Sequence, residues 1–222
     1  MTMITPSKIA KSAKNNDVLL YTLGHVRLPK FVVIGGIHGD EPEGAKVVED
    51  FVKSAQGEAQ KFKACVLAIP RFNPDGLNTN ERTNGHGVDL NRNFPADDWS
   101  PEHRAPRYFP GAKPSSESEI RGLVDLLTKA KPFLVVHCHT YTVPQICYTG
   151  EQSAPWAQIL GKTFGYPVTP DIGYPTPGSL GQFCFLNLKT ACICVEFPEQ
   201  VEADVAWKML GPSLLEIARR GP

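Results

Sequence analysis

Two histidines and two glutamates have the residue types and the sequence surroundings of a hydrolytic metal site. His38 and Glu41 stand three residues apart in Gly-Ile-His-Gly-Asp-Glu, residues 36–41, directly after an apolar run, and His139 and Glu196 each follow another apolar run. Two His and one Glu leave one position of a tetrahedral zinc ion open for water, and a second Glu can take the proton of that water. These residues favour a zinc peptidase or amidase.

The third metal ligand stays open when the residues are considered alone. His137 shares a strand face with His139, because side chains two residues apart in a strand point to the same side. Cys138 offers a sulfur that also binds zinc. His-x-x-Glu also fits a polar loop in which Glu41 precedes Pro42 at a helix start, where an acidic side chain is favourable.

Apolar, strand-like runs alternate with helical patterns along the chain, which predicts an α/β domain with a mixed, largely parallel twisted sheet and helices on both faces. The predicted strands are residues 18–23, 31–36, 64–70, 133–139 and 191–197. The predicted helices are residues 42–55, 117–130, 156–164, 179–187 and 203–219. The four polar residues follow strand ends, so we expect them to converge at the carboxyl edge of the sheet.

A long segment, residues 71–116, is rich in Asn, Asp, Gly, Pro and Arg and shows little periodicity. A loop of this length inside a compact domain is usually functional. Within it, Asn91 and Arg92 could bind a carboxylate through an amide donor and a bidentate guanidinium. The same residue types also suit turn caps and a surface charge.

Composition bounds the class of protein and its partners. The 222 residues carry 23 Lys and Arg against 23 Asp and Glu, so the net charge is zero and favours neither a nucleic acid nor a membrane partner. No segment approaches the roughly 20 apolar residues of a membrane span. The six cysteines form no CxxC pair and suit buried free thiols. A cytoplasmic protein is expected, of an oligomeric state that the sequence does not give.

The first seven residues, Met-Thr-Met-Ile-Thr-Pro-Ser, resemble the leader that common cloning vectors add. We therefore assign residues 1–7 to such a leader and residues 8–222 to a single catalytic domain. The N-terminus lacks the order of a secretory signal, although an export signal removed during cloning stays an alternative.

The motifs together resemble the zinc metallocarboxypeptidase family, whose members include the pancreatic carboxypeptidases. In the family's order, they are His-x-x-Glu at 38–41, Asn-Pro-Asp-Gly at 73–76, Asp-x-Asn-Arg-Asn at 89–93, His-Thr-Tyr at 139–141, then Tyr174 and Glu196. The resemblance implies a carboxypeptidase-like fold and one Zn²⁺ per chain.

The resemblance also implies the role of each residue. The implied zinc ligands are His38, Glu41 and His139. Asp89 would orient the ring of His38, and Arg82 would stabilise the developing oxyanion. Glu196 would be the general base toward a zinc-bound water.

Within that family the sequence most resembles the bacterial murein peptide amidases, at residues 36–41, 84–99 and 173–179. Such enzymes cut the amide bond between γ-D-glutamate and meso-diaminopimelate. The resemblance implies the same reaction on a small murein peptide. Asn91 and Arg92 would bind its terminal carboxylate, and Tyr174 would close over it.

Three other activities stay open. A carboxypeptidase that removes D-alanine from murein tetrapeptide would bind the terminal carboxylate through the same two residues, Asn91 and Arg92, which we refer to as the carboxylate clamp. A deacylase of N-acyl amino acids, of the aspartoacylase kind, shares the His-x-x-Glu and Asn-Arg core, although Tyr174 counts against it. The remaining alternative is a zinc-binding or peptide-binding module without catalysis.

Overall fold

The computed structural model describes residues 5–222, in which eight strands form one mixed sheet. The strands are β1 (Ser7–Lys11), β2 (Asp17–Leu23), β3 (Lys30–Ile34), β4 (Cys65–Ile69), β5 (Leu134–Tyr141), β6 (Gln145–Thr149), β7 (Val168–Thr169) and β8 (Ala191–Pro198). Their order is β1-β2-β4-β3-β5-β8-β6-β7. The four central strands, β4, β3, β5 and β8, run parallel, whereas β1, β2 and β6 each pair antiparallel to a neighbour.

Six helices accompany the sheet in residues 5–222. They are α1 (Pro42–Gln56), α2 (Pro74–Thr79), α3 (Ser118–Ala130), α4 (Ala154–Phe164), α5 (Leu180–Gln182), which continues as a π-helix over Phe183–Leu188, and α6 (Ala203–Arg220). Short 3₁₀ turns lie at Ala59–Lys61, Leu90–Arg92, Pro106–Tyr108 and Glu151–Ser153. Across the described part of the chain, no helix has both the length and the apolar character needed to cross a membrane.

Helices cover both faces of the sheet, so its central strands are buried on both sides. Val136 of β5 packs in a core shared with α1, α4 and α6, whereas the preceding Val135 packs in a second core with α3 and α5. Strands buried on both faces appear in sequence as continuous apolar runs rather than as alternating patterns. The predicted α/β fold is confirmed.

The short and polar elements are where the sequence prediction was incomplete. The five predicted strands correspond to β2, β3, β4, β5 and β8, but β1, β6 and β7 were not predicted. β1 carries Lys8 and Lys11, which form ion pairs with Asp17 at the sheet edge, and such edge strands lack an apolar run. Residues 1–4 of the predicted leader lie outside the described residues, while Ser7 pairs with Leu20 in the sheet.

Buried polar contacts order the segment 71–116, in addition to apolar side chains such as Phe72, Leu90 and Phe94 that pack in the second core. The segment contains α2 and two 3₁₀ turns. Asn93 is fully buried, and its amide donates to the carbonyl oxygens of Pro110 at 2.7 Å and Lys113 at 3.0 Å. Its side-chain oxygen accepts from the backbone N–H of Glu117 at 3.1 Å. One amide therefore fixes two points of a segment that lacks periodicity and joins them to the residue directly after it.

The loop after β3 lies directly against the N-terminal turn of α2. Gly36, with φ of +62°, turns the chain out of the sheet. A Cβ built on Gly39 would lie 1.9 Å from the backbone carbon of Gly76 and 2.4 Å from the carbonyl oxygen of Glu81. Only a glycine permits this approach, which fixes the position of the loop that carries His38 and Glu41.

We predict that Gly39→Ala destabilises the protein, because backbone atoms would have to move to accept the methyl group. Overpacking of this kind costs about 1 to 3 kcal/mol, which guanidinium unfolding would measure. Gly57→Ala is the matched control, since Gly57 has φ of −71° and its added Cβ would meet no atom closer than 3.9 Å. Wild-type stability in Gly39→Ala would contradict the packing described here.

Candidate active site and metal centre

The three residues predicted as zinc ligands lie together at the carboxyl edge of the sheet. Glu41 places one carboxylate oxygen 2.8 Å from Nδ1 of His38 and the other 2.7 Å from Nδ1 of His139. The two Nδ1 atoms are 3.0 Å apart, and all three side chains are buried. The side chain of Glu41 forms no capping hydrogen bond with α1. Its carboxylate faces the two histidines instead, so the alternative in which Glu41 only favours the helix start does not describe the structure.

This donor set fits a zinc ion. Nδ1 of His38 and Nδ1 of His139 face the carboxylate of Glu41 and also face each other. If both nitrogens carried a hydrogen, the two N–H groups would point at one another. A cation between them would instead accept a lone pair from each ring. Zinc bonds of about 2.0 to 2.1 Å in tetrahedral geometry place ligand atoms roughly 3.4 Å apart. The observed separations of 2.7 to 3.0 Å are close to that value.

His137 contacts the opposite nitrogen of His139. Its Nδ1 lies 3.0 Å from Nε2 of His139, which points away from Glu41. His137, His139 and Cys194 also form a group whose potential ligand atoms lie within 4.8 Å of one another. Only the set with Glu41 includes a carboxylate, so we keep His139 as the proposed third ligand and His137 as its partner. Cys138 packs in the apolar core and joins neither set.

Asp89 is a fully buried carboxylate that joins the site's other polar groups. Its Oδ1 lies 3.1 Å from Nε2 of His38 and accepts from the backbone N–H of Asn91 at 3.0 Å. Its Oδ2 accepts from Nε and Nη2 of Arg82, both at 2.9 Å. Burial alone would raise the pKa of Asp89, but the charges of His38 and Arg82 hold it well below its ordinary value. The carboxylate is therefore ionised and fixes both neighbours.

The protonation of the three proposed ligands follows from the same charges. Burial opposes ionisation of Glu41, but the two histidines lower its pKa well below its ordinary value. Burial and Arg82 act to lower the pKa of His38, yet the carboxylates of Glu41 and Asp89 outweigh them and raise it. Burial is the main cause of the lowered pKa of His139. Glu41 is thus anionic and His139 neutral at neutral pH, as metal ligands must be.

Glu196 lies in β8 directly beside His139 of β5 and lines the same cleft. Burial, followed by the charge of Glu41, raises the pKa of Glu196 to about 8. The thiol of Cys194 donates to Oε1 of Glu196 at 3.1 Å. A bound cation would counter the charge of Glu41 and bring the pKa of Glu196 down, into the range of a general base.

The predicted substrate-binding residues line the same cleft, whose volume is about 610 Å³. The side-chain oxygen of Asn91 accepts from the backbone N–H of Leu180 at 3.0 Å, which leaves its amide hydrogens for another acceptor. Arg92 donates to the carbonyl oxygen of Asn91 at 2.7 Å. Tyr174, 40% exposed, stands with Tyr141 at the rim, their ring centroids 6.2 Å apart. The cleft is therefore lined by every residue for which the sequence predicted a role except Asp89, which is fully buried and contacts His38 and Arg82 instead.

Three further lining residues had no predicted role. Arg104, Arg107 and Tyr108 also face the cleft. In the sequence these residues form the short stretch Arg-Ala-Pro-Arg-Tyr, residues 104–108. Such a stretch is also typical of a solvent-exposed basic turn, so it does not by itself predict a functional role. The fold alone shows that it faces the cleft.

Comparison with known proteins identifies the class to which this geometry belongs. Residues 2–159 match the model of the zinc carboxypeptidase family, which is more than half of the chain. The chain belongs to the zinc carboxypeptidase family. It is a zinc metallopeptidase or amidase, and the predicted resemblance, enzyme class and zinc cofactor are confirmed. Tyr174 and Glu196 lie beyond the matched residues.

Relatives extend the match over nearly the whole chain. Murein peptide amidase A of Escherichia coli (strain K12) is 32% identical over 190 residues, which are 81% of this chain and 75% of that protein. Murein peptide amidase A of Vibrio campbellii is 29% identical over 215 residues, 91% of this chain and 83% of that protein. The crystal structure of murein-tripeptide amidase from Escherichia coli O157 has a TM-score of 0.83 at 25% identity and covers 100% of this chain and 94% of that one.

We predict that His139→Ala loses stoichiometric zinc, because the ion would keep only two protein ligands. In His137→Ala the ion keeps all three, and the loss of the hydrogen bond to His139 weakens affinity by about 10 to 100-fold. Metal analysis after dialysis against a weak chelator distinguishes the two variants. Loss of zinc in His137→Ala but not in His139→Ala would reverse the assignment.

We predict that zinc affinity falls as the pH is lowered from about 8 to about 5. His38 has a raised pKa, so it holds its proton to a higher pH than an ordinary histidine, and zinc must displace that proton. Below the raised pKa, each displaced proton costs about ten-fold in affinity per pH unit. Chelator-competition titrations would measure this slope.

The matched variant for the pH slope is Asp89→Asn, which removes a charge that raises the pKa of His38. In this variant the pH below which zinc affinity begins to fall should be lower than in the wild-type protein. An overall loss of affinity would lower the values at every pH and would not move that point. An affinity that stays level over the whole range would remove His38 from the ligand set.

Proposed function

We propose that this chain hydrolyses the amide bond between γ-D-glutamate and meso-diaminopimelate in small murein peptides. The single observation that carries the proposal is a cleft in which a fitting zinc ligand set, a buried carboxyl group and an Asn-Arg clamp face the same space. The relatives that match this chain over most of its length are named murein peptide amidases, which supports the substrate class.

Substrate binding begins at the terminal carboxylate of diaminopimelate. Asn91 offers its amide hydrogens because its oxygen is occupied by Leu180, and Arg92 offers its guanidinium beside it. Within residues 5–222 the side chain of Arg92 forms no ion pair, so its charge is free for a ligand. Tyr174 stands at the rim, where closing over the bound peptide would exclude water from the reacting bond.

The reaction needs a water nucleophile at neutral pH and a group that opposes charge on the carbonyl oxygen. Zinc, when bound by His38, Glu41 and His139, supplies a Lewis acid that lowers the pKa of water. Glu196 takes the proton from the attacking water and passes it to the nitrogen of the leaving diaminopimelate. Arg82, held by Asp89 with its Nη1 3.5 Å from Glu41, opposes the charge that develops on the carbonyl oxygen.

The character of the cleft supports diaminopimelate over D-alanine as the leaving residue. Asp171, Gln182 and Thr149 line it together with the clamp, so a long side chain ending in an ammonium and a carboxylate finds polar partners there. The methyl group of D-alanine would leave these groups unused. The same clamp nevertheless accepts any terminal carboxylate, so a D-alanine carboxypeptidase is the competing activity.

A cytoplasmic location is part of the proposal. All six cysteines are free thiols, and five of them are buried, which suits a reducing compartment. Cell fractionation of the native protein tests this point separately from the reaction.

We predict that incubation with L-alanyl-γ-D-glutamyl-meso-diaminopimelate releases free diaminopimelate and L-alanyl-D-glutamate, which mass spectrometry would detect. The corresponding tetrapeptide, extended by D-alanine, tests the competing activity. Release of D-alanine from the tetrapeptide without release of diaminopimelate from the tripeptide would replace the proposal with a carboxypeptidase.

The control for the reaction is Glu196→Gln, which keeps the size of the side chain and removes the base. Turnover should fall by at least about 100-fold, the usual contribution of a general base, while zinc content stays unchanged. Full turnover with zinc bound would show that Glu196 is not the base.

A further inference from the structure

Arg104, Arg107 and Tyr108 form a cationic surface of the cleft that the mechanism above does not use; we refer to them as the arginine platform. The guanidinium carbon of Arg104 lies 4.5 Å from the centroid of the Tyr108 ring, and that of Arg107 lies 5.6 Å from it. Arg104 also donates to the Tyr108 hydroxyl at 3.0 Å. The three side chains therefore form one unit around a single ring.

The arginine platform is attached on two sides to residues that surround the proposed metal site. Tyr108 ends a 3₁₀ turn that begins at Pro106, and the carbonyl oxygen of the next residue, Phe109, accepts from the backbone N–H of Asp89 at 2.8 Å. Arg107 donates to Asp40 at 2.9 Å, and Asp40 immediately precedes Glu41. The position of the platform relative to the proposed metal ligands is thus fixed by a hydrogen bond and an ion pair.

The platform carries a positive charge without a matching carboxylate. Asp40 neutralises Arg107, but among residues 5–222 Arg104 forms no ion pair, and its hydrogen-bond acceptor is a phenol. The hydrogen bond from Arg104 lowers the pKa of Tyr108, as expected for a ring in a positive potential. A guanidinium that faces a cleft in this way is suited to binding an anion, and its planar fork matches a carboxylate.

Arg82 locates the platform relative to the scissile bond. Its guanidinium carbon lies 5.1 Å from the same Tyr108 ring, and Arg82 is the residue proposed to meet the carbonyl oxygen. Arg82 and Arg104 therefore share one aromatic neighbour. A second anion on the substrate, a few ångströms from the scissile carbonyl, would reach Arg104 while that carbonyl contacts Arg82.

The proposed substrate carries an anion at this distance. A glutamate that is linked through its side chain keeps its α-carboxylate free, roughly 5 Å from the scissile carbonyl carbon in an extended chain. A peptide linked through α-carboxyl groups has no free carboxylate on the backbone at that point. We propose that the arginine platform binds the α-carboxylate of the γ-linked glutamyl residue and so selects γ-glutamyl peptides.

This inference rests on the proposed function and adds a second point of recognition. Asn91 and Arg92 bind the carboxylate of the leaving residue, whereas the platform binds a carboxylate of the residue that supplies the carbonyl. Two cationic sites on either side of the bond fix the peptide at both ends, which positions the carbonyl for attack.

The test compares two tripeptides that differ in one group, the free α-carboxylate of D-glutamate or its carboxamide. The wild-type enzyme should favour the carboxylate by about ten-fold in kcat/KM, the scale of one hydrogen bond to a charged group. Arg104→Met should remove this preference, with the loss mainly in KM for the carboxylate peptide, and Arg104→Lys should keep part of it. The matched control is Arg27→Met, an exposed arginine in the loop before β3, at the opposite edge of the sheet, which should leave the preference intact.

The outcomes separate this inference from the proposed function. Cleavage of both peptides with equal efficiency by wild type would overturn the role of the platform and leave the amidase activity standing. An equal loss on both peptides in Arg104→Met would assign Arg104 a structural role and also overturn the inference. If neither peptide were cut at the γ-glutamyl bond, the proposed function would fall and the inference with it.

Discussion

The buried carboxylate of Asp89 is the constraint on which the site depends. It contacts the far nitrogen of His38, Nε and Nη2 of Arg82, and the backbone N–H of Asn91. A buried anion is stable only when such partners surround it, because an unpaired charge in the interior is very costly. The same requirement that keeps Asp89 paired therefore holds a proposed metal ligand, the proposed oxyanion group and the carboxylate clamp in one arrangement.

The sheet topology brings the remaining groups to Asp89. β3, β5 and β8 are adjacent and parallel, so the loop after β3 and the residues near the ends of β5 and β8 meet at one edge. His139 and Glu196 are direct neighbours across β5 and β8, which places the proposed base beside a proposed ligand without any loop between them. Rigid strands hold these two groups, while loops supply the substrate-binding side chains.

Charged groups of opposite sign lie next to one another around the proposed metal site, so each stabilises the ionised form of its neighbour. The anions Glu41 and Asp89 face the histidines and Arg82, and this pairing keeps both carboxylates ionised despite their burial. Glu196 is buried beside the charge of Glu41 with less compensation from cations, so its pKa rises to about 8. The cleft thus separates carboxylates that stay charged from one whose proton can move, which is the separation that acid–base catalysis requires.

The sequence by itself determined the fold class, the central strands, and the types and order of the residues proposed as metal ligands and catalytic groups. Those features are local, because burial on both faces produces continuous apolar runs, and a zinc site requires particular side chains whatever their surroundings. Only the tertiary structure decided that Nδ1 rather than Nε2 of His139 faces Glu41, that His137 takes the other nitrogen, and that Arg104 faces the cleft. The physical reason is that these contacts join residues as far as 98 positions apart, so strand order and loop closure, which no local pattern encodes, determine which atoms meet.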